Sequence, residues 1–409
     1  MTTPTSNNAV GWYLGSVATF MIPAGIQMVL LPYLLAIELQ QPAARFGLTQ
    51  MFGQLPTLVF LLFGGLLADK VDPRRLLMGL QAAAVMMPLI LVYFLWRHEL
   101  TEALLMLYAL AWGLVTAFAM PARDGFLRRI AGANIQRMVT MALGIQFGAQ
   151  LVGQAVGGRA ATWGASNIVL MQCLVLALGI LAARKLPSGA IVTTPAPPDP
   201  ERKSLLHGIG GGVTLIFSDP PMRAAFLIIL GVGIFFSGVL TVLIPLAVRD
   251  LFAGGAQDMA TGFMMFGIGT LVSIALITRR GGLAYPGRAL VLSMVSGCSS
   301  LLPMAFGPPL WLFYLCVFCW GMSGGVAMSM SRTILQERTP GSHQSRVMAA
   351  NALATAGGGP IGSLITGLTV ALVGARWAIL MPILGVATTT ICVVTTHAIW
   401  RLRSRSLLA

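Results

Sequence analysis

Charge is what this sequence lacks. Only 9% of its 409 residues are Asp, Glu, Lys or Arg, where a soluble domain carries about 25%. So few ionisable groups cannot clothe a water-soluble globule of this size, which excludes that class. Acids are the scarcest of them, 12 against 26 Lys and Arg, giving a formal net charge of +14. The basic residues stand singly or in twos and threes between apolar runs rather than in a dense patch, so the charge does not point to nucleic acid. Cysteine is sparse too. Cys173, Cys298, Cys316, Cys319 and Cys392 all lie inside apolar runs and read as small core residues, not as disulfides or metal ligands. Cys316-x-x-Cys319 has no second pair or histidine near it, so no metal is expected. Gly208-x-Gly210-Gly211-Gly212 lacks the Lys-Ser/Thr that closes a phosphate loop. No Ser-His-Asp set, carboxylate pair or nucleotide motif is present; neither an enzyme nor a bound cofactor is expected. Residues 1–8 are uncharged apart from the terminus, unlike the basic start of a signal peptide, so the first apolar run is expected to stay.

What is abundant is hydrophobicity, 56% of residues. Apolar runs of about 20 residues, each long enough to span a bilayer as a helix, recur along the whole chain. They are centred near Met21, Val59, Met87, Ala111, Phe147, Val175, Phe235, Gly269, Val295, Phe318, Gly362 and Val386. The expected architecture is an all-α membrane protein of twelve transmembrane helices in two six-helix bundles. Residues 1–186 form the first bundle and 207–409 the second. Between them, 187–206 hold Pro187, Pro195, Pro197, Pro198 and Pro200 and read as an extended cytoplasmic linker. With both termini placed on one side, that side collects 21 Lys and Arg and the other side 5. The bias puts both termini in the cytoplasm and the protein in the cytoplasmic (inner) membrane.

A shift of 209 residues lays Arg123, Arg129, Gly132 and Arg137 on Arg332, Arg338, Gly341 and Arg346. The same shift lays Gly148, Gly153 and Gly158 on Gly357, Gly362 and Gly367. These identities fall on charged and glycine positions, which an apolar background does not supply by itself. They read as duplication of a six-helix unit with both copies in the same orientation.

The loop after the second span runs Gly64-Gly65-Leu66-Leu67-Ala68-Asp69-Lys70-Val71-Asp72-Pro73-Arg74-Arg75. It resembles the signature loop of the major facilitator superfamily. Gly25-Ile26-Gln27, Pro56, Pro121-Ala122-Arg123 and Asp219-Pro220-Pro221-Met222-Arg223 resemble the branch containing the enterobactin exporter and macrolide efflux proteins. The resemblance implies a conformational latch on Gly65, Asp69, Lys70, Asp72, Arg74, Arg75 and Arg123, with Arg137, Arg332 and Arg346 at the matching loops. Independently of any family, a carboxylate at Asp69 can cap a neighbouring helix while the cations face lipid phosphate. The fifth span resembles the glycine motif of drug antiporters in Gly153, Gly157 and Gly158, but Gln154 stands where that motif has proline. The eleventh span has the fuller form through Gly358, Pro360 and Gly362, and all six positions suit close helix packing or hinging.

No acid or histidine falls near a span midplane, so Glu38 and Asp124 are the candidates for proton coupling, and an uncoupled facilitator stays open. A cavity without embedded charge suits a neutral or amphiphilic molecule held by aromatics, thioethers and amides. Its candidate lining is Gln27, Met28, Tyr33, Gln54, Trp112, Phe118, Gln146, Gln150, Phe235, Phe236, Trp320 and Asn351. The leading expectation is a monomeric secondary exporter of a siderophore-like or macrolide-like molecule, with rocker-switch alternating access and protons as the coupling ion to test. A flippase for lysolipid or a similar amphiphile and a transport-dead sensor are the alternatives.

Overall fold

In a computed structural model the chain is described over residues 7–70, 72–131, 135–186, 205–340, 343–396 and 398–402. Twelve spans follow the apolar runs. The first six are α1 (Asn7–Tyr33), α2 (Ala43–Lys70), α3 (Pro73–Trp96), α4 (Glu102–Ala131), α5 (Ile135–Gly157) and α6 (Ala165–Arg184). The second six are α7 (Pro220–Phe235), α8 (Ala256–Arg279), α9 (Pro286–Leu301), α10 (Leu310–Arg338), α11 (Gln344–Ala378) and α12 (Leu380–Thr396). The helices Ala160–Trp163 and Leu205–Ser218 lie outside these spans. Leu205 and Leu206, expected as the end of the linker, open the second of these. The glycine run from Gly208 to Gly212 is helical within it, which agrees with its rejection as a phosphate loop.

Proline and short polar side chains set several boundaries. Pro73, Pro220 and Pro286 each begin a span, where a missing N–H leaves no ladder bond unmade. Asp72 caps α3 by accepting the Arg74 N–H at 3.0 Å. Two π-turns, invisible to hydropathy, extend spans. Leu34–Glu38 prolongs α1, and Val239–Leu243 follows α7 and leads into the helix Ile244–Phe252. In the second, the Ile244 N–H donates five residues back to Val239, just before Pro245, whose ring has no N–H for the regular ladder. In α11 the helix is interrupted at Gly374, with φ 79°, a left-handed conformation that favours glycine.

The chain forms two compact units. The first comprises Met1–Gln41, Phe52–Pro195 and Gly254–Thr261; the second comprises Pro42–Met51, Ala196–Ala253 and Gly262–Ala409. In the first, α1 packs most extensively on α5, and α3 on α6 and α4. Tyr13, Phe20, Leu77, Phe126 and Leu176 are buried there. In the second, α9 packs on α10 and α7 on α11.

The duplication read from sequence recurs as geometry. A Cβ on Gly25 would overlap the Gln150 carbonyl, and one on Gly153 the Ile22 carbonyl, so α1 and α5 touch backbone to backbone. In the second unit Gly238, beyond α7, meets the Gly362 carbonyl, and Gly362 meets Ile234. The second helix of each half is crossed in the same way: Gly113 on α4 abuts the Gly53 carbonyl, and Gly321 on α10 the Phe266 carbonyl. Small residues let helices approach this closely where lipid gives no hydrophobic drive to associate.

Tryptophan placement matches a bilayer. Trp12, Trp96, Trp163, Trp311, Trp377 and Trp400 lie at or near helix ends with exposed rings, whereas Trp112 and Trp320 sit within spans. Large apolar side chains such as Leu107, Leu174, Leu372 and Ile391 are exposed along the spans, as lipid contact requires.

Candidate functional site

Of the expected latch, the side chains of Gly65, Asp69, Lys70 and Arg137 lie outside the described residues. So does that of Asp124, one of the two proton-coupling candidates. Asp72 makes the helix cap given above; Arg74 is half-buried and Arg75 exposed. Arg123 is only 4% exposed. Its guanidinium lies 3.7 Å from the centroid of the Phe20 ring. Phe20 in turn stacks on Trp112, with centroids 5.8 Å apart and planes 18° apart. The Tyr13 hydroxyl donates to the Arg123 carbonyl at 3.3 Å, and the Tyr13 ring stacks on Phe126. The end of α4 is thereby tied to α1 through a cation–aromatic column, an attraction that strengthens out of water.

In the second unit the matching loops are built otherwise. Arg332 is exposed, and Arg346 is half-buried with its backbone against Gly212 of the helix Leu205–Ser218. An ion pair joins Arg338 to Asp219: Nε to Oδ2 at 2.5 Å and Nη2 to Oδ1 at 2.9 Å, a bidentate fork linking the end of α10 to the start of α7. Sequence reasoning named both residues but did not pair them, because 119 positions separate them.

The expected cavity residues separate into distinct surroundings. Gln27 faces the interior of the first unit, where its Oε1 accepts from the Tyr108 hydroxyl at 2.7 Å. Tyr108 in turn accepts from Gln172 Nε2 at 3.3 Å. Tyr108 and Gln172 were not anticipated; a tyrosine and a glutamine within apolar runs of α4 and α6 were the available signal. Met28 faces α5, where Gln150 Nε2 and Gln154 Nε2 point at its sulfur from 3.7 and 3.2 Å. Gln146 and Gln54 are half-buried, and Phe118 lies 5.8 Å from Phe60. Tyr33 donates to Glu38 Oε1 at 2.8 Å, which holds that carboxylate on the π-turn at the end of α1.

In the second unit Phe236 meets Trp320 edge-on at 5.6 Å, and Phe266 lies 4.6 Å from the same indole. Phe235 fills the space beside Gly385 on α12. Asn351 is 6% exposed and its Oδ1 has no hydrogen-bond partner among the described residues. Trp112 and Trp320 each directly precede the glycine at which their span crosses its neighbour, Gly113 and Gly321.

The packing glycines act at defined contacts. Gly157 lies against Ile26 and Val29, Gly158 against Ala260, and Gly358 against Gly233, while Pro360 is buried inside α11. Among the described residues, the buried polar side chains are Gln, Asn, Ser, Thr and Arg123, with no carboxylate.

The sequence profile of the Major Facilitator Superfamily matches residues 13–285 and 284–406. No curated protein matches the sequence. Among solved structures, the nucleoside transporter NupG is similar in fold, with TM-score 0.76 and 13% identity over 97% of this chain and 100% of that one. A bacterial homolog of the human lysosomal transporter Spinster, in an inward-facing and unoccupied conformation, is similar with TM-score 0.68. It is 13% identical over 98% of this chain and 97% of that one.

Proposed function

From the premise that this chain belongs to the Major Facilitator Superfamily, and is therefore a multi-pass membrane transporter, we propose that it is a secondary exporter of an amphiphilic small molecule. Siderophore-like and macrolide-like compounds are the substrate classes, carried by rocker-switch alternating access. The observation behind this reading is the chemistry of the buried polar groups. Amides, hydroxyls and a phenol, without a buried carboxylate among the described residues, suit a neutral hydrogen-bonding molecule better than one held by a counter-ion. Arg123 over Phe20 supports the latch role that resemblance assigns to it. Half-buried Trp112 supplies a flat apolar face of the kind that amphiphiles contact.

The excess of Lys and Arg on one side, 21 against 5, supports an inner-membrane protein with cytoplasmic termini. Glu38, which accepts from Tyr33, and Asp124 are the two groups on which proton coupling would rest. A nucleoside, named for one structural neighbour, offers similar donor and acceptor chemistry and belongs among the test compounds.

The experiment is metabolite and lipid profiling of cells and medium, with and without the gene, in iron-replete and iron-starved culture. The proposal expects a compound to disappear from the medium and build up inside when the gene is removed. Unchanged secreted metabolites together with lysolipid retained in one leaflet would replace the exporter by a flippase.

A further inference from the structure

Two carboxamide donors converge on one thioether in the first unit. Gln150 and Gln154 stand four residues apart on α5, and both point Nε2 at the Met28 sulfur on α1, from 3.7 and 3.2 Å. A thioether is a weak acceptor. Gln154 is 3% exposed, and its Oε1 is buried with no hydrogen-bond partner among the described residues. Turning the amide over would leave Nε2 without an acceptor and set Oε1 against a sulfur that has no proton to give, so at least one polar atom stays unpaired in either orientation. An unpaired buried amide is destabilising, and packing does not call for it.

The second half shows that packing does not. Its equivalent crossing carries Thr241, 213 residues after Met28, and Ser363, 209 residues after Gln154. Their hydroxyls lie 3.0 Å apart and satisfy one another. The glycine contacts beside both crossings are alike: Gly25 with Gly153, and Gly238 with Gly362. The fold therefore closes this crossing with two small hydroxyls when nothing more is asked of it. In the first half it instead holds two glutamines and a flexible sulfur side chain. Gln154 is also the residue that departs from the antiporter glycine motif, where proline is expected.

We propose that Gln150, Gln154 and Met28 form a recognition site for an uncharged group that presents a donor and an acceptor side by side: an amide, an imide or a hydroxyl of the transported molecule. The inference rests on the exporter reading and specifies its chemistry. Half-buried Gln150 is the open end of the site. Met28, unbranched and with three rotatable bonds, turns aside to release both Nε2 donors to the ligand carbonyl or hydroxyl oxygen. The ligand N–H or O–H then donates to Gln154 Oε1, which completes the one amide the protein leaves unpaired.

The test transplants the second half's solution into the first. In the double variant Met28→Thr with Gln154→Ser the crossing is closed by hydroxyls, as at Thr241 and Ser363, so folding is retained and recognition is removed. Binding of enterobactin, erythromycin and uridine is measured by thermal shift on the purified full chain, with circular dichroism and gel filtration reporting the fold. At least one compound stabilises the unsubstituted protein, and its apparent affinity falls about tenfold or more in the double variant. Gln150→Leu, at a half-buried position, gives a loss in the same direction and decides the matter if the double variant does not fold. Affinity kept within about twofold in a folded variant overturns the recognition site alone. If none of the three compounds binds the unsubstituted protein, the exporter reading falls together with it.

Discussion

Valine at Gly153 or at Gly362 removes most folded protein from the membrane fraction, while alanine at Gly148 leaves its amount and thermal stability unchanged. The three glycines belong to the same repeated pattern in the sequence, yet their surroundings differ. A Cβ at Gly153 would overlap the Ile22 carbonyl, and one at Gly362 the Ile234 carbonyl, so the obstacle is backbone that has no rotamer to change. Nothing lies within 4 Å of a Cβ built at Gly148. Separating α1 from α5, or α7 from α11, loses the contacts along a whole helix pair, and the destabilisation expected is at the upper end for single substitutions, about 4 kcal/mol or more. Fluorescence-detected gel filtration of the three variants checks it. Equal behaviour of Gly148→Ala and Gly153→Val would contradict the crossing.

Arg123→Lys slows transport by about tenfold while the protein still inserts and folds. Lysine keeps the charge but loses the flat guanidinium that lies on Phe20 at 3.7 Å. A desolvated cation–aromatic contact contributes on the order of 2 kcal/mol, and coupling energies of about 1–3 kcal/mol are enough to unbalance two conformers. Transport and melting temperature are measured on the same preparation. Slower transport at unchanged melting temperature assigns Arg123 to the conformational cycle. A drop in melting temperature with transport per folded molecule unchanged reduces it to packing.

The spans were legible because a bilayer imposes a length and a composition on every helix, and each expected centre from Met21 to Val386 falls inside its own span. The repeat was legible because glycines and arginines stand out from an apolar background. The register of contacts was not. Gly148 and Gly153 look alike in sequence, and only the crossing shows that one is open and the other filled by backbone. Gln27 belongs to the expected lining, but its acceptor is already taken by Tyr108, 81 residues away. The π-turns at Leu34–Glu38 and Val239–Leu243 leave hydropathy unchanged while rotating every later side chain. In the sequence Gln154 stands out only as a missing proline. Its meaning came from Met28, 126 residues earlier, and from the Thr241 and Ser363 hydroxyls that stand at the matching crossing.

The central claim, export of an amphiphilic small molecule, is tested most directly in inside-out vesicles from cells with and without the protein. Enterobactin and erythromycin are supplied outside, and their accumulation is followed with and without an imposed proton gradient. The account predicts uptake of at least one of the two that depends on the protein and is diminished by Arg123→Lys. Uptake identical in vesicles with and without the protein, alongside protein-dependent movement of lysophosphatidylethanolamine between leaflets, would contradict it.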